Sequence, residues 1–230
     1  MIRYLSWDSE HFGIKVGRVD ASVISFEEYS QICAAAKSQH YDLIYVVGPR
    51  FEADLCTDKF LLVDEKVIYE THINELEKEK DEVVELPVGT DYHELLDLAY
   101  ESGKYSRYKI DENLPPHVFG TLYSKWIENA VNRENGQRVL VVQRNHHYVG
   151  MLTFQPTDNH SYTIGLIAVS PEYAGQGIGT SLLHALFRLV GKGACIEVAT
   201  QLRNQAACHY YEKNGFTVSS ITPFYHLWIK

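Results

Sequence analysis

The chain has 230 residues, 45% of them hydrophobic and 22% charged, enough apolar material for one large core or two smaller ones. Its formal net charge is -9 and no basic block occurs, which excludes the electrostatic footprint of a nucleic-acid-binding surface. No apolar run approaches the roughly 18 to 20 residues that cross a bilayer. The start, MIRYLSWDSE, lacks the basic and apolar parts of a signal peptide. These features predict a cytoplasmic protein with no membrane or nucleic-acid partner. Cys33, Cys56, Cys195 and Cys208 form no CxxC pair and sit among apolar neighbours, the pattern of reduced, mostly buried thiols. HExxH is absent, and the adjacent His146 and His147 point apart on a hairpin tip, so no metal site is expected.

In chain order, IKVGRVDA reads as a partly buried strand. SFEEYSQICAAAKSQH reads as a helix capped by Ser25, with Phe26, Tyr29, Ile32, Cys33 and Ala36 on its buried face. LIYVVG is a continuous apolar strand and FEADLCTDKF a short helix. LLVDEKVIYETHI is a long strand in which the turn-prone Asp64-Glu65 pair marks a bulge or bend. The almost wholly charged NELEKEKDE, residues 74 to 82, reads as a solvated linker, and it places a boundary near residue 80 between domains 1–80 and 81–230.

Beyond it, VVELPV is a strand and DYHELLDLAYESG a helix opened by Asp91 with Glu94 in capping-box position. KYSRYKIDENLPPH, with two prolines and little periodicity, reads as a long surface loop before the helix VFGTLYSKWIENAVN. RVLVVQ, YVGMLTF and SYTIGLIAV form an antiparallel meander. Next comes AGQGIGTSLLHAL, a helix with Ile178, Leu182, Leu183, Leu186 and Leu189 on one face, followed by cap glycines 191 and 193. ACIEVAT is a buried strand. A helix that Asn204 can cap ends at Asn214-Gly215, and FTVSSI and PFYHLWIK close the chain as strands.

Glycines 175, 177 and 179 before that helix have two readings. They allow close strand-to-helix packing, or they free backbone N–H groups at a helix N-terminus for a phosphate. A P-loop needs a Lys-Ser/Thr pair where this chain has Gly179-Thr180, and a dinucleotide fingerprint would put its third glycine at Thr180 and open a parallel sheet.

The flanking sequence resembles the GCN5-related N-acetyltransferase (GNAT) family on both sides. IGLIAVSPEYAGQGIGTSLL is similar to that family's strand, bulge and pyrophosphate loop, with Ala174 replacing the usual Arg or Gln. NQAACHYYEKNGF carries Asn204, Ala207, Tyr211, Gly215 and Phe216 at the spacing of its NxxAxxxYxxxGF stretch. The resemblance implies an α/β (α+β) GNAT fold: a central mixed, mostly antiparallel sheet flanked by helices, with an N-terminal partial α/β domain that contributes to the acceptor pocket. It implies acetyl-CoA as co-substrate, held by Ile167, Ala168 and Val169 on the strand, by the loop Ala174, Gly175, Gln176, Gly177, Ile178, Gly179 and Thr180, and by Asn204 and Ala207. It further implies Tyr211 as general acid toward the coenzyme sulfur, with Tyr210 as a core tyrosine.

A narrower resemblance, to the dTDP-fucosamine acetyltransferases, rests on LSWDSEHFGI, SRY, WIENAV and VATQLRNQAA. It implies as acceptor the amine of a nucleotide-linked 4-amino-4,6-dideoxy sugar. Arg107, with Lys104 and Lys109 nearby, is the candidate for its diphosphate; a solvated loop arginine is the other reading. Tyr105 and Tyr108 either stack on a base or sugar or anchor the loop. Asp64 is a candidate base for the amine, against a bend-forming surface aspartate. Another amine acceptor (aminoglycoside, polyamine or peptide) and a non-catalytic acyl-CoA-binding module stay open, as does the oligomeric state, a homodimer among the options.

Overall fold

A computed structural model describes residues 1–21, 25–48, 59–158 and 160–229. Most of the short helix expected in FEADLCTDKF, with Cys56, lies outside the described residues. The elements begin with β1 (Arg3–Tyr4), α1 (Ser6–Phe12), β2 (Val16–Asp20), α2 (Phe26–Ser38), β3 (Leu43–Val47) and β4 (Phe60–His72). Then follow β5 (Val84–Glu85), α3 (Leu96–Ser102), α4 (Arg107–Ile110), α5 (His117–Val131), β6 (Arg138–Arg144), β7 (His147–Asp158) and β8 (Ser161–Val169). The chain closes with α6 (Ile178–Val190), β9 (Cys195–Gln201), α7 (Gln205–Lys213) and β10 (Thr217–Trp228).

All ten strands join one sheet in the order β1-β2-β3-β10-β4-β9-β8-β7-β6-β5. Only β2/β3 and β8/β9 pair parallel, so the sheet is mixed and mostly antiparallel. α2, α6 and α7 pack on one face and α1, α3, α4 and α5 on the other. β4, from the segment before residue 80, lies between β10 and β9, so the hydrogen-bonded sheet runs unbroken across the expected boundary. The charged stretch 74–82 is strapped along α6: Arg188 pairs with Glu79 at 2.5 Å, and the Ser181 hydroxyl donates to Asp81 at 2.7 Å.

Local chemistry explains the elements that hold the site. Ser25 caps α2 with a full capping box to Glu28, although Phe26 stays 73% exposed on the outer side. The meander turns at Asn145-His146, both with positive φ (52° and 65°), as a two-residue hairpin requires. Asp91 accepts from the His93 N–H, but it opens a single 3-10 turn before α3, and Glu94 does not complete the box. The two strands expected at the C-terminus are one, β10, which absorbs Pro223 beside a register shift against β4.

KYSRYKIDENLPPH is not a surface loop. It contains α4, and Ser106, Asp111 and Leu114 are buried. Asp111 accepts hydrogen bonds from His226 Nδ1 at 2.5 Å and from Trp228 Nε1 at 3.0 Å, tying the segment to the end of β10. Burial is the largest single influence on Asp111 and favours its neutral form, but the hydrogen bond and charge of His226, with the Asn113 N–H and Trp228, together outweigh it and hold the carboxyl below its ordinary range; His226, fully buried, is pushed toward neutrality. The cysteines are less buried than expected. Among the described cysteines only Cys208 is inside, while Cys33 and Cys195 are half-buried, and these three are free thiols.

Candidate active site

β8 and β9 pair only from Ser161↔Cys195 to Ile164↔Val198 and then separate. The cause is visible one strand away. Between Leu152 and Phe154 the β7/β8 register shifts, and the buried Thr153 hydroxyl accepts from the Leu166 N–H at 2.8 Å, fixing an extra residue into β8. Past that bulge, Gly165 to Val169 have no strand partner on the β9 side, and their backbone edge lines a cavity of about 750 Å³.

One wall of the cavity is the glycine run. Gly175 and Gly177 have φ of +76° and +90°, a region closed to most side chains, and Gly177 caps α6 without a side-chain partner. The first N–H of the helix to find an acceptor is that of Ser181, on Gly177 O at 3.0 Å. The N–H groups of Ile178, Gly179 and Thr180 therefore remain free at the positive end of a 13-residue helix, which suits an anion. Close packing sets the helix start: a Cβ on Gly150 of β7 would meet Ile178 Cγ2 at 2.6 Å.

Across the gap stands α7. Asn204 caps it, its Oδ1 accepting from the Ala207 N–H at 3.2 Å, which leaves the side-chain NH₂ for a ligand. Tyr211 lines the cavity while its ring packs on Tyr69 and Phe216, and burial raises its phenol well above the ordinary value. Tyr210 lines the cavity too. Its ring lies against Gly179, and its hydroxyl is buried without a hydrogen-bond partner, so it is not only a core tyrosine.

The far end of the cavity is built by the first 72 residues, β10 and α4. Asp64, at the β4 bulge, is 2% exposed; its Oδ1 has no hydrogen-bond partner, and burial raises its pKa to about 6 against the pull of Arg107 and Arg203. The Arg107 guanidinium sits over the rings of Tyr108 (4.3 Å), Phe224 (4.8 Å) and Tyr45 (5.3 Å), and donates to the Tyr108 hydroxyl. Of the six buried side-chain polar atoms without a partner among the described residues, five gather here: Tyr45 Oη, Asp64 Oδ1, Ser106 Oγ, Arg107 Nε and His226 Nε2.

Every predicted site residue except Gln176 and Tyr105 lines this one cavity. Gln176 is exposed, its side chain reaching only Glu172 O at 3.5 Å, and Tyr105 lies under Lys104 outside the cavity. Lys104 and Lys109 are also outside it. Sequence reasoning missed Arg18, Lys66, Thr200, Lys213 and Phe224, which line it, and α1, which carries Asp8 close to Arg107. Apart from the cavity, Glu70, His72 and Cys195 bring their ligand atoms within 4.8 Å of one another on neighbouring strands.

The chain is 28% identical over 144 residues to the spore coat polysaccharide biosynthesis protein SpsD of Bacillus subtilis, covering 62% of this chain and 49% of that one. The chain thus matches about half the length of that relative. It is 27% identical over 125 residues to streptothricin acetyltransferase A of the same organism, covering 54% of this chain and 71% of the relative. A conserved protein from Staphylococcus epidermidis shares the fold with a TM-score of 0.64 over 94% of this chain and 84% of its own, at 15% identity. The model of the Acetyltransferase (GNAT) family matches residues 93–216, which span the splayed strands, the glycine loop and Tyr211; more than half of the chain is covered, and the protein belongs to the GNAT family of acetyltransferases.

Proposed function

We propose that the protein transfers the acetyl group of acetyl-CoA, the donor this family uses, to the amine of a nucleotide-linked 4-amino-4,6-dideoxy sugar of the dTDP type. The observation that carries the reading is one continuous cavity with a phosphate-ready helix terminus at one end and a buried carboxylate among aromatic rings and cations at the other. SpsD, named for polysaccharide biosynthesis, supports a sugar acceptor.

In this reading, the N–H groups of residues 176–180 hold the coenzyme's pyrophosphate, as do those of Gly175 and the turn after Ala174. The backbone of Ile167, Ala168 and Val169 pairs with the pantetheine amides as an added strand would, with Asn204 and Ala207 on the opposite side. One of those N–H groups polarises the thioester carbonyl. Residues 1–80 shape the acceptor end, where Arg107 and Tyr108 flank the sugar.

The acceptor amine arrives as an ammonium, and Asp64, ionised above pH 6, accepts one of its protons directly or through water. The freed lone pair attacks the carbonyl carbon, the C–S bond breaks, and Tyr211 donates its phenolic proton to the departing sulfur. The nitrogen gives up a second proton, which restores the phenol through solvent. The tally is one amide, one free thiol and one proton released.

The test is CoA release from acetyl-CoA in the presence of a dTDP-linked 4-amino sugar, set against an aminoglycoside, a polyamine and a peptide amine. Turnover restricted to the nucleotide sugar supports the reading. Turnover on one of the other amines alone, or coenzyme binding without turnover on any, refutes it.

A further inference from the structure

Four cations, Arg18, Lys66, Arg107 and Lys213, line the cavity against one carboxylate, Asp64, in a chain whose net charge is -9. Arg107 is largely committed to the protein itself, enclosed by three rings, bonded to Tyr108 and close to both Asp8 and Asp64. Lys66 is different. It makes no hydrogen bond or ion pair with any described residue, and burial, then repulsion from Arg107 and Arg18, outweighs the attraction of Asp64 and Glu197 and pulls its ammonium below the ordinary lysine range. Arg18 lies over Phe224 at 5.7 Å. Asp20 holds it from outside, accepting from Nε at 2.9 Å and from Nη2 at 2.6 Å, which leaves Nη1 uncommitted.

The spacing is informative. Lys66 is two residues from Asp64 on the same face of β4, a strand repeat of about 6.6 Å. Phe224, beneath Arg18, is the residue opposite Asp64 on β10. A group bound between Arg18 and Lys66 therefore stands roughly one sugar ring away from the carboxylate that faces the amine. Mutually repelling cations on one wall cost stability in the free protein, and a phosphate placed between them cancels the repulsion with charge-assisted hydrogen bonds.

We infer that Arg18 and Lys66 form an anion clamp for the diphosphate of the acceptor, resting on the reading of this cavity end as the acceptor site. The clamp assigns nucleotide recognition to β2 and β4, and it leaves Arg107 to position the rings and carboxylates around the amine. Phosphate chemistry in this cavity has a second source, the coenzyme itself, so the experiment separates the two.

Binding of dTDP and of inorganic pyrophosphate is measured by calorimetry on protein saturated with CoA, which blocks the glycine loop. Arg18→Gln and Lys66→Gln are each expected to weaken dTDP about tenfold, with binding that falls as salt rises. Lys66→Arg should retain it, and Lys104→Gln, a cation outside the cavity, should change nothing. CoA affinity should hold in all variants, which also reports that they fold. Equal dTDP affinity in the Arg18→Gln/Lys66→Gln double variant, or no dTDP binding to the CoA-loaded protein, overturns the clamp. So does a loss of CoA affinity that spares dephospho-CoA, since the cations would then serve the coenzyme's 3′-phosphate. If dTDP binds through Arg18 and Lys66 while no dTDP-linked amino sugar is acetylated, the clamp stands and the sugar-acceptor reading falls.

Discussion

Asp64 lies opposite Phe224 immediately after a bulge that leaves Val63 with no facing residue on β10. The bulge turns the carboxylate into the cavity instead of the core, and the aromatic partner strips water from it. Burial is the dominant influence on this group and lifts its pKa to about 6. The acceptor rate, kcat/KM, should therefore fall below an acid limb near pH 6, provided the amine's own titration is corrected for. Asp64→Asn should remove that limb and cut turnover at pH 7 by about 10²-fold. A limb that survives in the variant would assign it to another group.

The same shift predicts a stability effect of opposite sign. The folded Asp64 binds its proton more tightly than the unfolded one, so between about pH 4 and pH 6 the native state holds more protons and stability falls as pH rises. Above pH 6 the buried charge costs on the order of 2–3 kcal/mol. Asp64→Asn should thus raise the melting temperature at pH 7 while lowering activity, and the gain should vanish near pH 4. Melting curves across pH check it; a variant less stable than the parent at pH 7 contradicts it.

Tyr211, like any phenol, is protonated at neutral pH, and burial raises it further above its ordinary value. Tyr211→Phe keeps the ring packing on Tyr69 and Phe216 and removes only the proton. Turnover should fall by about 10²-fold with CoA affinity unchanged. The same loss from Tyr210→Phe, with Tyr211→Phe silent, would transfer the role to the neighbouring hydroxyl.

Gly177 is required for its backbone, since a Cβ there would meet nothing within 4 Å but φ is +90°. Gly177→Ala should cost about 1–2 kcal/mol and weaken CoA binding, the second effect reporting the displaced N–H groups. Gly120, inside α5, where a Cβ would meet only the Tyr100 hydroxyl at 4.0 Å, should behave oppositely, Gly120→Ala adding about 0.5–1 kcal/mol of stability. Denaturant unfolding of the two variants checks both signs.

Asp111 joins α4 to β10 by accepting from His226 and Trp228. Asp111→Ala leaves the buried His226 and the half-buried Trp228 without their acceptor and should destabilise the protein by about 2–4 kcal/mol. In folded variant protein the KM for acceptor should rise more than that for acetyl-CoA, because the segment it anchors carries Arg107 and Tyr108.

The glycine-loop end of the cavity was legible because its signals are local. Glycines before an amphipathic helix, Asn204 as a cap, and the meander around Asn145-His146 each follow from residues a few positions apart. The end around Asp64 and Arg107 was not, because long-range contacts make it. Asp111 and His226 are 115 residues apart, so the segment around α4 shows no periodicity and reads as a loop while its Ser106 and Asp111 are buried. Arg18 and Lys66 alternate along strands as any solvent-facing cation does, and only the sheet order brings them to one wall. The Asp64-Glu65 irregularity was visible, but the carboxylate's burial depends on Phe224, at the other end of the chain. The charged stretch 74–82 carries no pattern that reveals its docking on α6.

The most direct test is release of CoA from acetyl-CoA by the purified protein with a dTDP-linked 4-amino-4,6-dideoxy sugar, run beside Asp64→Asn and Tyr211→Phe. The expected result is an N-acetylated nucleotide sugar, formed stoichiometrically with free thiol, and a loss of about 10²-fold in each variant. No product with this acceptor, or equal turnover in all three proteins, would contradict the assignment of this cavity to amine acetylation by Asp64 and Tyr211.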